Sequence, residues 1–233
     1  MTITARCHPA LRGILPEPVM ASRALPDWLK DMPSEAPAAA LGGASVRTLK
    51  HCAPMIDAMS AGILLPLAAD IVVSPEGLSW DWSPPVIPDQ GLSRAPVGLH
   101  VPEQAMGAPL PLNGRAAIKF MNFWTLEAPA GWSILFTHPL NREDLPFRTL
   151  SGIVDCDLFR QGYVHFPAIW VDDGFRGTLP AGTPVAQAIA VPRDGAGLEI
   201  GVLDAEGEAG TRDVQLALAR ERGVYRKQFR GKR

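Results

Sequence analysis

The sequence predicts a mainly β protein, a barrel or sandwich of short strands, with an extended N-terminal arm and a C-terminal helix. Three observations carry this. Short runs of alternating apolar and polar residues recur between about residues 46 and 203, the period-two pattern of half-buried strands. The 22 glycines and 23 prolines that punctuate them break helices and mark turns. The last 30 or so residues switch to a sustained helical period.

Residues 1–45 read as a proline-rich arm. Pro16, Pro18, Pro26 and Pro33 each remove a backbone donor and bias the preceding residue away from helix. Within the arm, "PDWLKDM" can form one helical turn, and Trp28 is expected to anchor it to the body. "SEAPAAALGGAS" reads as a flexible surface connection. The body, residues 46–203, opens with a short helix over "APMIDAMSAG", with Pro54 early and Gly62 at its end. Strands follow over "ILLPLAADIVV" and over "LSWDWS", which places Leu78, Trp80 and Trp82 on one face.

A loop rich in Pro and Gly spans roughly 83–113. Beyond it, "AAIKFMNFWTLEA" alternates Ile118, Phe120, Asn122, Trp124 and Leu126, and "GWSILFTH" alternates Trp132, Ile134 and Phe136. "YVHFPAIWV", "TPVAQAIAV" and "GLEIGVLD" complete the strands. Residues 204–233 form a basic helix and tail. Val214, Leu218 and Tyr225 lie on one stripe, with Thr211 as the expected N-cap and Asp213 in the first turn. From residue 219 onward seven basic groups face one acid, Glu221.

The 233 residues are 47% hydrophobic and 20% charged, which suits one globular domain with appendages. A formal net charge of −2 argues against a nucleic-acid partner, and no apolar run reaches the ~18 residues of a membrane span. The N-terminal residues lack the apolar centre of a secretory signal. Cys7, Cys52 and Cys156 are odd in number and form no CxxC pair, so reduced thiols in a cytoplasm are expected.

Chemistry concentrates in two stretches. "LSGIVDCDLF" presents Asp155 and Asp157 beside a glycine turn, with Gly152 making the turn and Ile153 and Val154 entering the core. "FTHPLNREDLPF" gathers His138, Arg142, Glu143 and Asp144 in a loop, and His165 follows in the next strand. Two histidines and a carboxylate on facing strands would suit a cupin-like metal-dependent oxygenase. Neither His138 nor His165 has a carboxylate two residues on, so no metal ligand is assigned. The plainer expectation is that His138 caps a strand end while Arg142 pairs with Glu143 or Asp144. Cys156, between two acids, is expected to be an unreactive thiol. The tryptophans at 80, 82, 124, 132 and 170 could line a ligand pocket or stack on bases, but at period-two spacing they are more often core.

The pairing of "LSGIVDCDLF" with "DDGFRGTLPAGTPVAQAIAVPR" resembles the dUTPase and dCTP-deaminase superfamily. Gly152, Ile153, Val154, Asp155 and Asp157 match its Gly-Val-Ile-Asp-x-Asp segment. Gly182, Val185, Ala186, Gln187 and Ile189 match its Gly-Asp-x-Ile-Ala-Gln-Leu segment. The resemblance covers about 45 residues. It implies a β-clip body, a homo-oligomer (commonly a trimer), and Asp155 as the carboxylate that positions an attacking water. Leu158 stands where the sugar-stacking aromatic would be, with Phe159 one place late, and neither a Ser-Ser-x-Gly-Arg-like segment nor a P-loop is present. "PDWLKDMP", "DAMSAG", "SWDW", "FTHPLNREDLPFRTLSGIVD", "FPAIW" and "YRKQFR" together resemble a family of bacterial and phage proteins of unassigned activity.

The resulting expectation is a diverged dUTPase-like β-clip protein that binds a small molecule or nucleotide, with catalysis left open. Asp155 is its candidate catalytic residue, and Asp157, His138, Arg142, Asp144, His165 and Gln187 are its candidate ligand contacts. No cofactor is expected, and Mg²⁺ would enter only with a nucleotide. A phage-related assembly protein and a cupin-like oxygenase are the alternatives.

Overall fold

The computed structural model describes residues 1–87, 93–110, 112 and 117–231. Parts of the loop expected over 83–113, the first alanine of the strand expected over 116–128, and Lys232 and Arg233 of the tail lie outside the described residues. Among the described residues the chain is mainly β, with sixteen strands in five antiparallel sheets that do not close into a barrel.

The N-terminal third contributes β1 (Thr4–Cys7), β2 (Val19–Met20), β3 (Glu35–Ala38), β4 (Ala44–Arg47), β5 (Ile63–Pro66), β6 (Ile71–Ser74) and β7 (Gly77–Ser79). Then come β8 (Val97–His100), β9 (Ala117–Phe120), β10 (Trp124–Glu127), β11 (Trp132–Thr137), β12 (Phe147–Thr149) and β13 (Gly152–Val154). The last three are β14 (Phe166–Trp170), β15 (Gly177–Leu179) and β16 (Pro184–Pro192). The α-helices are α1 (Asp27–Asp31), α2 (Ala53–Met59) and α3 (Ala205–Arg220). Met1–Asp194 form one compact unit and Gly195–Arg233 a second.

In the first unit a five-stranded sheet, β13-β11-β16-β5-β2, and a four-stranded sheet, β12-β14-β9-β8, sandwich the core. Alternation supplies the inner face of each. Ile134 and Phe136 of β11 and Ala186 and Ala188 of β16 are buried from one side, and Ile118, Phe120, Phe147, Phe166 and Ala168 from the other. The two layers meet at Phe136 and Phe166, whose ring centroids lie 5.5 Å apart. Thr149 Oγ1 donates to the Val185 carbonyl at 2.5 Å, a polar tie across the layers. A third sheet, β15-β6-β7, adds Ile71, Val73 and Leu179 to the same core.

Several local expectations change. Residues 1–45 do carry the short helix α1, and Trp28 is anchored, its indole Nε1 donating to Asp144 Oδ1 at 3.2 Å. The arm is nevertheless woven into the body, with β1 paired to β10, β2 paired to β5, and Leu11, Leu15, Ala21 and Leu29 buried. The expected flexible connection is the β3–β4 hairpin, closed by Gly42 and Gly43 at φ 63° and 86°. The alternation from Ile118 to Leu126 is two strands, β9 and β10. Asn122 turns the chain between them, its side chain bonding the Trp124 N–H and the Trp124 and Val164 carbonyls. β7 ends at Ser79, leaving Trp80 and Trp82 beyond it, and part of the long loop is the strand β8.

In the second unit "GLEIGVLD" forms no strand, because no neighbouring strand pairs with it. Leu198, Ile200 and Val202 are 85%, 90% and 98% exposed. The final helix starts earlier than expected. Asp204, whose carboxylate accepts from the Gly207 N–H at 2.8 Å, is the N-cap, so Thr211 and Asp213 sit inside α3.

Candidate functional site

The turn after β13 brings together the two aspartates that the sequence singles out. Asp155 Oδ1 accepts from the Ser133 hydroxyl of β11 at 2.6 Å and lies 3.4 Å from Arg193 Nε. Asp157 accepts from the Gly131 N–H at 3.0 Å and pairs with Arg193 Nη2. One arginine, just past the end of β16, thus clamps both carboxylates, and the side chain of Asp157 is only 8% exposed against 50% for Asp155. Desolvation works to raise the Asp157 carboxyl, but the Gly131 N–H and the Arg193 guanidinium outweigh it and hold it below the usual range.

Between the aspartates Cys156 is buried. Desolvation first, then the two neighbouring charges, push its thiol up to about 11. The Asp155 carbonyl accepts from the N–H groups of Leu158 and Phe159 at 2.9 and 2.8 Å, which tightens the turn. Val154 packs on the core, whereas Ile153, expected inside, is 65% exposed. On the edge strand β13 the residue packed inward is Val154, and Ile153 points to the opposite face. The ring of Phe159 lies on Gly162, whose Cβ, if it had one, would fall 2.0 Å from it.

The second stretch forms a separate hub at the other end of β11. His138 Nδ1 accepts from the Thr149 N–H at 3.3 Å, which leaves Nε2 to donate to the Arg142 carbonyl at 3.0 Å. Desolvation, only partly opposed by that carbonyl and by Glu143, pulls the His138 pKa down, so the ring is a neutral strap across the loop. Arg142 forms a forked pair with Asp144, Nε to Oδ1 at 2.9 Å and Nη2 to Oδ2 at 2.9 Å, while Glu143 pairs with Arg148. Burial tends to raise the Asp144 carboxyl, but Arg142 overrides it and Trp28 adds to the lowering.

Gln187, 1% exposed, completes this hub. Its Oε1 accepts from the Leu140 N–H at 2.8 Å, and its Nε2 donates to the Ala58 and Ala61 carbonyls at 2.9 and 2.7 Å. His138, Arg142 and Asp144 therefore share one loop, to which Gln187 of β16 is bonded, whereas Asp155 is held at Ser133. His138 lies five residue steps along the strand direction from Ser133, about 17 Å at ~3.4 Å per step, so His138 and Asp155 do not share a pocket. His165 stands apart from both, with Nδ1 accepting from the Asn122 N–H at 3.1 Å and its pKa lowered by desolvation and by Lys119. Among the described residues no three His, Cys, Asp or Glu side chains gather into a metal-binding group.

A further concave space lies elsewhere. A cavity of about 480 Å³ opens between the β6–β7 hairpin and the four-stranded sheet. Val73, Leu78, Val97, Ile118 and Ile169 supply apolar walls, and Trp170 adds an aromatic face. Its more exposed members, Trp80, Asp173 and Arg176, form the rim. Its size falls in the range of small-molecule sites, which pair apolar walls with a few placed polar groups. In the sequence Trp80 and Trp170 are two of five tryptophans for which core packing is the first expectation and a pocket the second. Arg176 and Asp173 carry no such signal, because only the turn after β14 brings them to the β7 side. Ser133 and Arg193 are equally invisible in the sequence, since their partners lie 22 and 36 residues away.

Among the described residues no helix is long and apolar enough to cross a membrane. Compared with protein-family models and with curated proteins, the chain matches none, so the reading of its function rests on this geometry.

Proposed function

We propose that this chain is a small-molecule-binding protein and that its ligand occupies the cavity between the β6–β7 hairpin and the four-stranded sheet. The observation that carries this reading is the cavity itself, about 480 Å³ with apolar walls, two tryptophans and a guanidinium. A dUTPase-like nucleotide role would put the ligand, and Mg²⁺ with it, at Asp155. There Ser133 and Arg193 already engage the carboxylate, while Leu158 and Phe159 are 73% and 50% exposed. Those contacts support a fastened turn better than a ligand seat.

The test is a thermal-shift screen of aromatic small molecules alongside dUTP, dCTP and dTTP with Mg²⁺, on the wild type, Trp80→Ala and Asp155→Asn. A ligand of the native state must raise apparent stability. Stabilisation by an aromatic compound that is lost in Trp80→Ala and kept in Asp155→Asn is the expected result. A nucleotide shift that depends on Asp155 would move the site to the turn and sink the cavity reading.

Self-association is part of the same proposal. What supports it is the alternating Leu198, Ile200 and Val202, exposed and unpaired, a pattern that suits pairing with another strand. Light scattering should show an assembly of wild type that the triple change of these residues to Ser disperses. Identical masses for the two would count against it. The free state of all three cysteines supports a cytoplasmic setting, where thiols stay reduced.

A further inference from the structure

Resting on the cavity reading, we infer that the cavity takes a ligand with a flat apolar body and a carboxylate, the body against Trp80 and Trp170 and the carboxylate on Arg176. The walls select the body. Val73, Val97, Ile118 and Ile169 offer no polar side-chain atom, so a polar group placed among them would lose its hydrogen bonds to water without replacement. A planar aromatic group satisfies such walls and gains from the two indole faces.

The orientation of Trp170 is fixed before any ligand arrives. Its Nε1 donates to the Asp172 carbonyl at 2.8 Å, and Phe175 packs edge-on against it with centroids 5.8 Å apart.

The turn that carries Arg176 is equally set. Asp172 Oδ1 accepts from the N–H groups of Gly174 and Phe175 at 2.9 and 3.1 Å, which fixes the backbone over residues 172–175. Arg176 Nη1 then donates to the Asp173 and Phe175 carbonyls at 2.9 and 2.7 Å. Both bonds use Nη1 and both acceptors are neutral. The guanidinium is therefore held in place, and neither bond takes up its Nε or Nη2 donors, while its charge also acts on the Glu76 carboxylate of the β6–β7 hairpin. A planar fork of this kind fits a carboxylate and costs little ordering on binding. Asp173 lines the same rim, so a cationic ligand seated on its carboxylate is the competing outcome.

The experiment compares 2-naphthoate, 2-naphthamide and 2-naphthylmethylammonium, three congeners with one ring system and different charge. Binding is read by tryptophan fluorescence and thermal shift, on the wild type, Arg176→Gln and Trp80→Ala. Naphthoate should bind at least about tenfold more tightly than the amide, the span expected of a charge-assisted hydrogen bond. Arg176→Gln should erase that preference and leave the amide unchanged. Trp80→Ala should weaken all three congeners, which places them in the cavity. Equal or tighter binding of the amide or the ammonium, or a naphthoate preference that survives Arg176→Gln, overturns the carboxylate assignment and leaves the cavity reading standing. If no congener shifts the melting temperature or the fluorescence, the cavity reading falls and this inference falls with it.

Discussion

Gln187, a candidate ligand contact in the sequence, serves as framework in the fold, where its amide joins α2, the loop after β11 and β16 through three hydrogen bonds. Changing Gln187 to Leu, similar in bulk but without the amide, would strand one N–H and two carbonyls in a site 1% exposed. The expected loss is about 2–4 kcal/mol, read as a lowered midpoint in urea at unchanged slope. A loss within ~0.5 kcal/mol would mean that these backbone groups find other partners. Cys156 gives a second prediction at this scale. Its buried thiol, pushed up to about 11, should react with a thiol reagent at pH 7.5 only on unfolding, whereas the half-buried Cys7 and Cys52 react in the native state. Three thiols modified at one rate in native protein would contradict this.

At the scale of elements the helix α2 and its exit depend on Gly62. It sits at φ 67°, and a Cβ there would fall 2.0 Å from the Ala188 carbonyl oxygen of β16. Its own carbonyl accepts from the Ala21 N–H at 3.1 Å, so three segments converge on it. Gly62→Ala should destabilise by at least about 2 kcal/mol, since backbone strain and steric overlap act together. A melting temperature unchanged to within a degree would refute that account.

The alternation of β11, β14 and β16 and the helical stretch of α2 were legible because each states its environment in local periodicity. The β3–β4 hairpin was not, because "EAPA" and "ASVR" carry little apolar signal and only their mutual pairing makes them strands. "GLEIGVLD" failed in the opposite direction, having the strand pattern and no neighbour to complete a ladder. The candidate site divided along the same line. The clustering of His138, Arg142 and Asp144 was visible in sequence. The Arg193 clamp and the rim formed by Arg176 depend on contacts that no local window contains.

The whole molecule responds to pH in two windows. Burial lowers the pKa values of His138 and His165 below the ordinary value near ~6.5. The unfolded chain therefore binds more protons than the native one once the pH falls below about 6.5, and stability declines from there. The carboxyls of Asp144 and Asp157 are held low by cationic partners and N–H groups, so their contribution is present above about pH 4 and lost as the pH drops through their native values. Urea denaturation between pH 7.5 and 5.5 should show a fall that the double change His138→Gln and His165→Gln removes. Asp144→Asn should alter only the profile at lower pH. A double variant with the wild-type slope in the upper window would dismiss the histidine account.

The placement of β5 has a consequence for how the chain is made. The strand lies between β2, which precedes it, and β16, so Ile63 cannot meet Ala188 until almost the whole first unit has been synthesised. At roughly 5–20 residues per second the nascent chain carries this apolar strand half-paired for on the order of ten seconds. The arrival of β16, with Gln187 in it, closes the five-stranded sheet in a single late event.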